Sequence, residues 1–339
     1  MFVTNSLSGG GAERAINLVV NELVVRNLEV SLVPINAGME DSVKPTCPVF
    51  HVQRTWKSGL IQTATSLIRF NSIVKAWKPD ILVLNCDIPE LFGLLSFSRS
   101  KIIVVEHANP AWSTRPTFGR LIRNLMRLRK PKWVAVSEHL TIWPWNESPD
   151  KILVNSIIIN NDLQNKKSAI NQNSQVKRLL FVGRLALAQK RPQIVIEVAA
   201  STGLPVLLIG DGEIRVYLEE MARNFGVSAE FAGYRLNPWE IFQNGDLLIV
   251  PSAWEGDGLV VVEALLNNVP LLLSDIQDFK RFNLPASAYC RSVEDYVDKI
   301  KNSESIREFA IPATNATAVL RNRSIAMVGD NWIDMLKNL

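Results

Sequence analysis

The 339-residue chain contains few residues of the kinds that bind metals or form disulfides. It has three cysteines and three histidines. Cys47, Cys86 and Cys290 are odd in number and far apart, which argues against a disulfide framework and indicates a reducing compartment. The scarcity of histidine argues against a zinc site. We therefore expect a protein that needs no bound metal and no other cofactor.

Long apolar runs are also missing from the sequence. None reaches the roughly 18 residues that a membrane-spanning helix needs, and the N-terminus shows no signal peptide. The composition, 47% hydrophobic and 21% charged, is typical of a soluble globular protein. These features predict a cytoplasmic protein, and the length is enough for two domains of ordinary size.

The net charge of +4 is distributed unevenly. Residues 1–175 contain 20 Lys and Arg against 13 Asp and Glu, whereas residues 176–339 contain 17 against 20. A basic first half indicates an anionic partner there, such as a membrane surface, a lipid phosphate or a nucleic acid.

The pattern of apolar runs predicts an α/β fold. In the first half, short apolar runs that predict strands alternate with longer amphipathic stretches that predict helices. Strands that alternate with helices form βαβ units and a parallel sheet. The predicted strands are 2–4, 29–34, 81–84, 102–105, 133–136 and 151–154, and the predicted helices include 12–26, 60–77 and 118–130.

A polar segment divides the chain. Residues 161–176 are rich in Asn, Gln, Lys and Ser, which is typical of a linker. The alternation then restarts, with predicted strands at 178–182, 206–209, 230–233, 247–251 and 271–273. We therefore predict two facing Rossmann-like domains, residues 1–160 and 177–313, and a helical segment, residues 314–339, that crosses back to the first domain.

The most informative segment is WEGDGLVVVEALL, residues 254–266. Glu255 and Glu263 flank a glycine turn that follows a predicted strand, and a helix is predicted to begin at Gly258. A helix N-terminus binds anions through its free N–H groups and its dipole. Because carboxylates accept hydrogen bonds from hydroxyl groups, the segment predicts a ligand with both phosphates and sugar hydroxyls.

Three other loops follow predicted strands. Three consecutive glycines in Ser8-Gly-Gly-Gly-Ala-Glu-Arg14 let the backbone approach a ligand, although a flexible loop without a ligand is the alternative. Arg184 and Lys190 flank the next loop, where cations would stabilise a leaving diphosphate; surface ion pairing is the commoner fate of such residues. The segment from Gly210 to Gly212 either lines a nucleotide pocket or forms a plain turn.

His107 follows the strand predicted at 102–105. A histidine at a strand end can donate to a substrate hydroxyl or transfer a proton. A structural role is the alternative, and it is what we expect for His51 and His139.

The segment from Arg115 to Lys132 combines basic and apolar residues. Seven Arg and Lys are interleaved with apolar residues at helical spacing, which is typical of a helix that lies on anionic lipid. A core-packed helix with a solvated basic face is equally compatible with this pattern. Nucleic-acid binding has no supporting motif.

These motifs, taken together, resemble a known family. GGGAER, GRL…QK, GDG and EGDGLVVVEAL are similar, in this order, to motifs of the retaining nucleotide-sugar glycosyltransferases of family 4. The resemblance covers nearly the whole chain and is strongest over residues 179–276. It implies the GT-B fold, in which two Rossmann-like domains face each other.

The resemblance also implies roles for individual residues. It assigns Arg184 and Lys190 to neutralising the donor diphosphate, Glu255 and His107 to the donor sugar, and Glu263 to the ribose hydroxyls. It places the following residues around the donor: Gly10, Gly11, Gly183, Gly210, Gly212, Tyr234, Arg235, Asp257, Gly258 and Leu259.

Three residues depart from the family pattern. Asp257 stands where an aromatic residue is common, and Arg191 and Asn268 stand where glycine is typical. Of these, Asp257 is the residue that we expect to bear most on donor choice.

The implied function is transfer of a hexose, with retention and without a metal, from a nucleotide sugar, most simply a UDP-sugar. The acceptor would be a saccharide or a polyprenyl-linked sugar in bacterial cell-surface polysaccharide synthesis, at the inner face of the cytoplasmic membrane. No nucleic acid is expected as a partner. A nucleotide-sugar epimerase of the same fold and a non-catalytic sugar-nucleotide-binding subunit stay open as alternatives.

Overall fold

The described part of the chain forms two compact units. The computed structural model describes residues 1–7, 10–36, 43–54, 59–108, 111–157, 174–235 and 237–339. The first unit contains Met1–Ile157 and Asn322–Leu339, and the second contains Ile158–Arg321. Most of the predicted linker, at 161–173, lies outside the described residues.

The helices of the described residues are as follows, in chain order: α1 (Gly11–Val25), α2 (Leu60–Trp77), α3 (Asp87–Leu94), α4 (Pro116–Met126), α5 (Gln193–Thr202), α6 (Arg215–Asn224), α7 (Leu259–Leu266), α8 (Gln277–Lys280), α9 (Val293–Asn302), α10 (Ala313–Leu320) and α11 (Ile325–Lys337). Short 3₁₀ turns follow α4 at Arg127–Arg129 and occupy Pro238–Ile241.

A parallel sheet forms the centre of the first unit. Its described strands are β1 (Phe2–Thr4), β2 (Leu32–Pro34), β3 (Ile81–Asn85), β4 (Lys101–Glu106), β5 (Lys132–Ala135) and β6 (Lys151–Ile152), in the order β2-β1-β3-β4-β5-β6. All of these pairings are parallel. The carboxyl ends of the strands therefore lie along one edge of the sheet.

Helices cover both faces of this sheet. On one face α1 and α11 contribute buried residues such as Leu23 and Trp332. On the other face α2, α3 and α4 contribute Phe70, Phe92 and Met126. This arrangement explains why the central residues of β3 and β4 are apolar without alternation, because both faces of the sheet are buried.

The second unit is built around another parallel sheet. Its described strands are β7 (Arg178–Val182), β8 (Val206–Ile209), β9 (Ala229–Gly233), β10 (Asp246–Val250), β11 (Leu271–Ser274) and β12 (Tyr289–Cys290), in the order β12-β11-β10-β7-β8-β9. One face packs on α5, α6 and α9 through residues that include Val195, Leu218 and Tyr296. The predicted α/β class with two parallel sheets is confirmed.

Three helices were not predicted from the sequence pattern: α3, the single-turn α8, and α9. The α3 helix lacks the start signal of a capping side chain, and only Asp87, Pro89 and Glu90 in its first turn favour a helix start. The α9 helix does have such a signal, because Ser292 caps it by accepting a hydrogen bond from the Asp295 N–H.

The C-terminal segment divides between the two units. The sequence predicts one returning segment at 314–339, but α10 lies in the second unit, where it packs on α7. The Asn315 side chain also donates to the Asn283 carbonyl there, at 2.6 Å. The part that joins the first unit begins at Asn322, and the Ile157 N–H donates to the Arg323 carbonyl at 3.2 Å.

Trp332 holds α11 in the first unit. Its ring is almost fully buried and lies 5.5 Å, centroid to centroid, from the Phe2 ring of β1. We expect Trp332→Ala to lower the free energy of unfolding by about 3–5 kcal/mol, because it leaves a large cavity. Urea unfolding would measure the change. Met327→Ala, at an exposed position of the same helix, is the control, and an equal loss in both variants would contradict the prediction.

Candidate active site

The glycine turn of the WEGDGL segment joins β10 to α7 in the second unit. Gly258 precedes the helix with φ 54°, a left-handed conformation that favours glycine. A Cβ at this position would also lie 3.2 Å from the Phe279 ring. No side chain among the described residues caps the helix. The first N–H groups of α7, beginning at Leu259, therefore stand at a helix N-terminus suited to an anion.

Lys190 and Glu255 form an ion pair beside this turn. The Glu255 carboxylate is 6% exposed and accepts hydrogen bonds from Lys190 Nζ at 2.6 Å and Ser252 Oγ at 2.7 Å. The Glu255 N–H donates to Asp278 Oδ2 at 2.6 Å. The structure thus brings together two predicted catalytic residues, and Ser252 and Asp278 support them. Sequence reasoning missed both supporting residues, since neither belongs to a recognisable motif.

Arg184 differs from Lys190 in its surroundings. It directly follows Gly183 at the end of β7 and its side chain is exposed. The guanidinium makes no ion pair or hydrogen bond with any residue in the described ranges. Of the two predicted diphosphate cations, Arg184 is therefore the one whose charge no described carboxylate neutralises.

Three glycines allow the loops after β7 and β8 to pack backbone against backbone. A Cβ at Gly210 would lie 1.9 Å from the Gly183 carbonyl oxygen, and one at Gly212 would lie 2.3 Å from that of Leu185. The Gly183 N–H donates to the Ile209 carbonyl at 2.9 Å. Close packing alone accounts for glycine at 210 and 212. Whether this turn also contacts a nucleotide stays a prediction.

Two of the family departures occupy left-handed backbone positions. Arg191 has φ 47° and Asn268 has φ 53°, which explains why glycine is typical at both. Asn is among the residues that tolerate this conformation best. Arg191 is held there by its guanidinium, which donates to the carbonyls of Pro251 at 2.6 Å and Ser252 at 3.1 Å. Arg191 therefore ties its loop to the end of β10.

Asp257 and Glu263 also have partners within the second unit. Asp257 is buried and pairs with Arg281, with 2.9 Å between Oδ1 and Nη2. Glu263 Oε2 accepts a hydrogen bond from Trp239 Nε1 at 3.1 Å. The pairing with Arg281 gives Asp257 a structural role that the sequence did not reveal. A direct effect of Asp257 on donor choice stays a prediction.

Tyr234 and Arg235 follow β9 and are both exposed, Tyr234 by 59%. Their position after a strand end suits a surface that receives a ligand. Their predicted contact with a nucleobase stays a prediction.

In the first unit, polar residues from three strand ends contact one another. Asn85, at the end of β3, donates from Nδ2 to Thr4 Oγ1 at 3.4 Å and hydrogen-bonds through Oδ1 to His107 Nε2. This pairing holds the His107 ring beside the carboxyl ends of β1, β3 and β4. Gly10 and Gly11 lie at the start of α1, and Gly10 has φ −167°, a conformation open to any residue.

A buried charge cluster includes Glu106, the residue that precedes His107. The Arg123 guanidinium, only 1% exposed, donates to Glu90 at 2.5 and 3.0 Å and to Glu106 Oε2 at 2.7 Å. Burial raises the pKa of Glu106 to about 8, despite Arg123, and that of Asp87 to about 6. Sequence reasoning missed this cluster because Asp87 and Glu90 lie on the unpredicted α3 helix.

The structure corrects part of the predicted basic lipid-facing helix. Arg123 is buried, and Arg129 donates to the carbonyls of Ser96 at 3.0 Å and Ser98 at 2.7 Å. Arg127 pairs with Glu147 and lies over the Trp145 ring, and Lys132 pairs with Asp150 at 3.0 Å. These four cations have their partners within the first unit. Among the exposed basic residues of the segment, Arg115, Arg120 and Lys130 make no ion pair with the described residues, and they accompany exposed Phe118, Leu121, Leu125 and Leu128.

The described ranges hold no group of three His, Cys, Asp or Glu side chains arranged to bind a metal ion. Nor does any helix within them have the length and apolar character needed to cross a membrane.

Comparison with protein families identifies the second unit. Residues 162–310 match the family model described as glycosyl transferases group 1. The matched range contains the Gly258 turn, the Lys190–Glu255 pair and Glu263. The protein is a glycosyltransferase.

A curated relative of this glycosyltransferase comes from Campylobacter jejuni. It is 24% identical over 281 residues, which cover 78% of this chain and 76% of the relative. That protein is named as an alpha-1,4-N-acetyl-D-galactosaminyltransferase acting on GalNAc-alpha-(1->4)-GalNAc-alpha-(1->3)-diNAcBac-PP-undecaprenol.

Solved structures share the fold of this glycosyltransferase along its length. Anabaena Alr3699/HepE, solved with UDP and glucose, superposes with a TM-score of 0.78 at 18% identity, covering 100% of this chain and 99% of that one. The lipopolysaccharide outer core galactosyltransferase WaaB, in its apo form, superposes with a TM-score of 0.67 at 18% identity. That superposition also covers 100% of this chain and 99% of the other. The fold is therefore that of the GT-B glycosyltransferases.

The raised pKa of Glu106 predicts a pH-dependent stability. Because the folded-state pKa of about 8 exceeds the ordinary 4.5, Glu106 stabilises the fold at low pH and loses this contribution as the pH rises toward about 8. In the wild type, the free energy of unfolding should fall by up to about 1.4 kcal/mol for each pH unit over this range. Glu106→Gln cannot ionise, so this contribution to the pH dependence should be absent from the variant. Urea unfolding between about pH 5 and pH 8 measures this.

The control for that experiment is Glu138→Gln, which removes an exposed carboxylate from the same unit. It should leave the pH dependence of the wild type unchanged. An equal slope in wild type and Glu106→Gln would show that Glu106 does not titrate in this range.

Proposed function

We propose that the protein is a retaining glycosyltransferase of the family 4 type that transfers a hexose from a UDP-sugar. One observation carries the proposal: in the second unit, the Lys190–Glu255 pair lies beside the glycine turn from which α7 begins. Arg184 and Glu263 belong to the same unit. An anion-binding helix end beside cations suits a diphosphate. The Anabaena structure, solved with UDP and glucose, supports the choice of donor.

The proposed chemistry depends on charge at the leaving group. When the bond between the sugar C1 and the β-phosphate oxygen breaks, its electron pair stays on that oxygen and the negative charge of the phosphate increases. Arg184, Lys190 and the α7 N–H groups stabilise this charge. The acceptor hydroxyl forms the new bond to C1 on the same face, and the departing phosphate takes its proton. No metal ion is required in this scheme, because fixed cations replace it.

The Lys190–Glu255 pair adds a constraint to this mechanism. Glu255 pairs with Lys190, with 2.6 Å between Oε1 and Nζ. A bound diphosphate competes with Glu255 for the ammonium, and a carboxylate that loses Lys190 still accepts from Ser252 Oγ. Glu255 then accepts a hydrogen bond from a donor-sugar hydroxyl in place of the one from Lys190. The predicted role of Glu255 near the sugar and that of Lys190 at the phosphate are therefore compatible.

We propose a saccharide or polyprenyl-linked acceptor in bacterial cell-surface polysaccharide synthesis. The name of the Campylobacter relative, which specifies an undecaprenol-linked substrate, supports this class. Placement in the cytoplasm at the inner membrane surface follows from such an acceptor. The exposed apolar stripe of α4, with Arg115, Arg120 and Lys130 beside it, is the proposed contact with anionic lipid.

Metal independence can be tested directly. Transfer from a panel of UDP-sugars should persist in the presence of EDTA, because Arg184, Lys190 and the helix N-terminus neutralise the leaving diphosphate. Product analysis by mass spectrometry, with and without acceptor, measures transfer and also detects the epimer that a nucleotide-sugar epimerase would release. Loss of all transfer with EDTA, restored by a divalent metal, would contradict the metal-free mechanism.

Lys190→Ala tests the assigned cation. Removing a fixed charge from the leaving group should lower kcat by about 10²–10³-fold. Lys190→Gln keeps a hydrogen-bond donor to Glu255 and so separates loss of charge from loss of the Glu255 contact. Lys301→Ala, at an exposed position of the same unit, is the control. A kcat that is unchanged in both Lys190 variants would remove Lys190 from the mechanism.

A further inference from the structure

A loop of the first unit presents an aromatic ring to solvent. Phe97, between α3 and β4, is 92% exposed, and Ile68 on the neighbouring α2 helix is 68% exposed. Single exposed apolar residues are common on protein surfaces. Here, however, both line the same groove.

The loop that carries Phe97 is held by specific hydrogen bonds. Asn71 of α2 accepts from the Phe97 N–H at 2.9 Å and donates to the Leu95 carbonyl at 3.4 Å. Arg129 donates to the carbonyls on both sides of Phe97, those of Ser96 at 3.0 Å and Ser98 at 2.7 Å. These bonds fix the backbone before and after the ring. The outward position of Phe97 is thus a built feature of the loop.

The groove beside Phe97 has a volume of about 1270 Å³. Its apolar lining includes Leu67, Ile68, Val74, Ile81, Phe97 and Leu336. Ile81 and Lys101 begin β3 and β4, so the groove lies at the amino-terminal edge of the sheet. His107 and Asn85 lie at the opposite edge. The groove is therefore separate from the residues predicted to contact substrate.

The charges around the groove are almost all positive. Five basic residues line it, Lys75, Lys78, Arg99, Lys101 and Lys337, whereas Asp80 is the one acidic side chain of its lining within the described ranges. The whole of residues 59–79 and 95–101, which form most of this surface, contains no Asp or Glu. An apolar trough with a cationic rim complements a molecule with an anionic head and a hydrocarbon chain.

We propose that this groove binds an anionic phospholipid of a membrane. An acyl chain lies along Leu67, Ile68 and Phe97, and the headgroup phosphate contacts Lys75, Lys78 and Arg99. The groove is formed by the helical layer that also carries α4, and Arg129 joins the end of α4 to the Phe97 loop. This proposal extends the membrane contact proposed for α4, and it does not depend on the sugar chemistry.

Vesicle binding by the full chain tests the proposal. Co-sedimentation would compare vesicles of phosphatidylcholine alone with vesicles that also contain phosphatidylglycerol, without any nucleotide sugar. The wild type should bind the anionic vesicles far more strongly. Phe97→Ser should lower the partition coefficient about tenfold, since it removes an aromatic side chain that becomes buried against lipid on binding. Lys75→Glu should lower it about fivefold or more.

Matched controls come from the second unit. Phe225→Ser alters a ring that is 52% exposed, and Lys301→Glu reverses an exposed charge. Both should bind vesicles as the wild type does. Thermal shift with UDP-sugars should be unchanged in Phe97→Ser, which separates this proposal from the donor site. Leu121→Ser, on α4, tests the membrane contact proposed for that helix separately from the groove.

Three results would overturn the proposal. One is failure of the wild type to bind anionic vesicles, and another is equal binding by Phe97→Ser and Phe225→Ser. The third is a concentration-dependent dimer in sedimentation velocity that Phe97→Ser abolishes while vesicle binding stays intact, which would assign the groove to a second copy of the chain.

Discussion

Parallel pairing of the described strands in each sheet is the constraint on which the other features depend. It places the carboxyl ends of the strands along one edge, so the loops that follow them become neighbours. In the first unit this brings Thr4, Asn85 and His107 into contact, and in the second it lets the loop of Gly183 pack on Gly210. It also requires helices on both faces of each sheet. The opposite edge of the first sheet carries the groove beside Phe97, which has an apolar lining and basic residues around it.

Burial decides which charges are available for chemistry. A buried charge without a partner is costly, so buried cations and carboxylates pair. Arg123 with Glu90, and Arg281 with Asp257, pair in this way within their own units. The Lys190–Glu255 pair has the same form but stands beside a helix N-terminus, where an anionic ligand would compete for the cation. Arg184 is exposed, which suits it to meet such a ligand.

The sequence was most informative where a pattern is local. Apolar runs alternating with amphipathic stretches identified most strands. The turn at Gly258 was located correctly because a left-handed backbone position favours glycine whatever its tertiary surroundings are. The α3 helix was missed because it is short and lacks a capping residue. The basic segment of α4 was misjudged in part, since periodicity does not show which of its cations have partners.

The sequence by itself determined the α/β class, the order of the motifs and the glycine positions, because these depend on neighbouring residues. Only the tertiary structure decided that Lys190 pairs with Glu255, 65 positions away, that Asp257 pairs with Arg281, and that Arg123 is buried. It alone showed that the α10 helix stays in the second unit and that Phe97 is held outward beside a groove. Such contacts join residues far apart in the chain, and no local pattern encodes which distant partner a charged side chain meets.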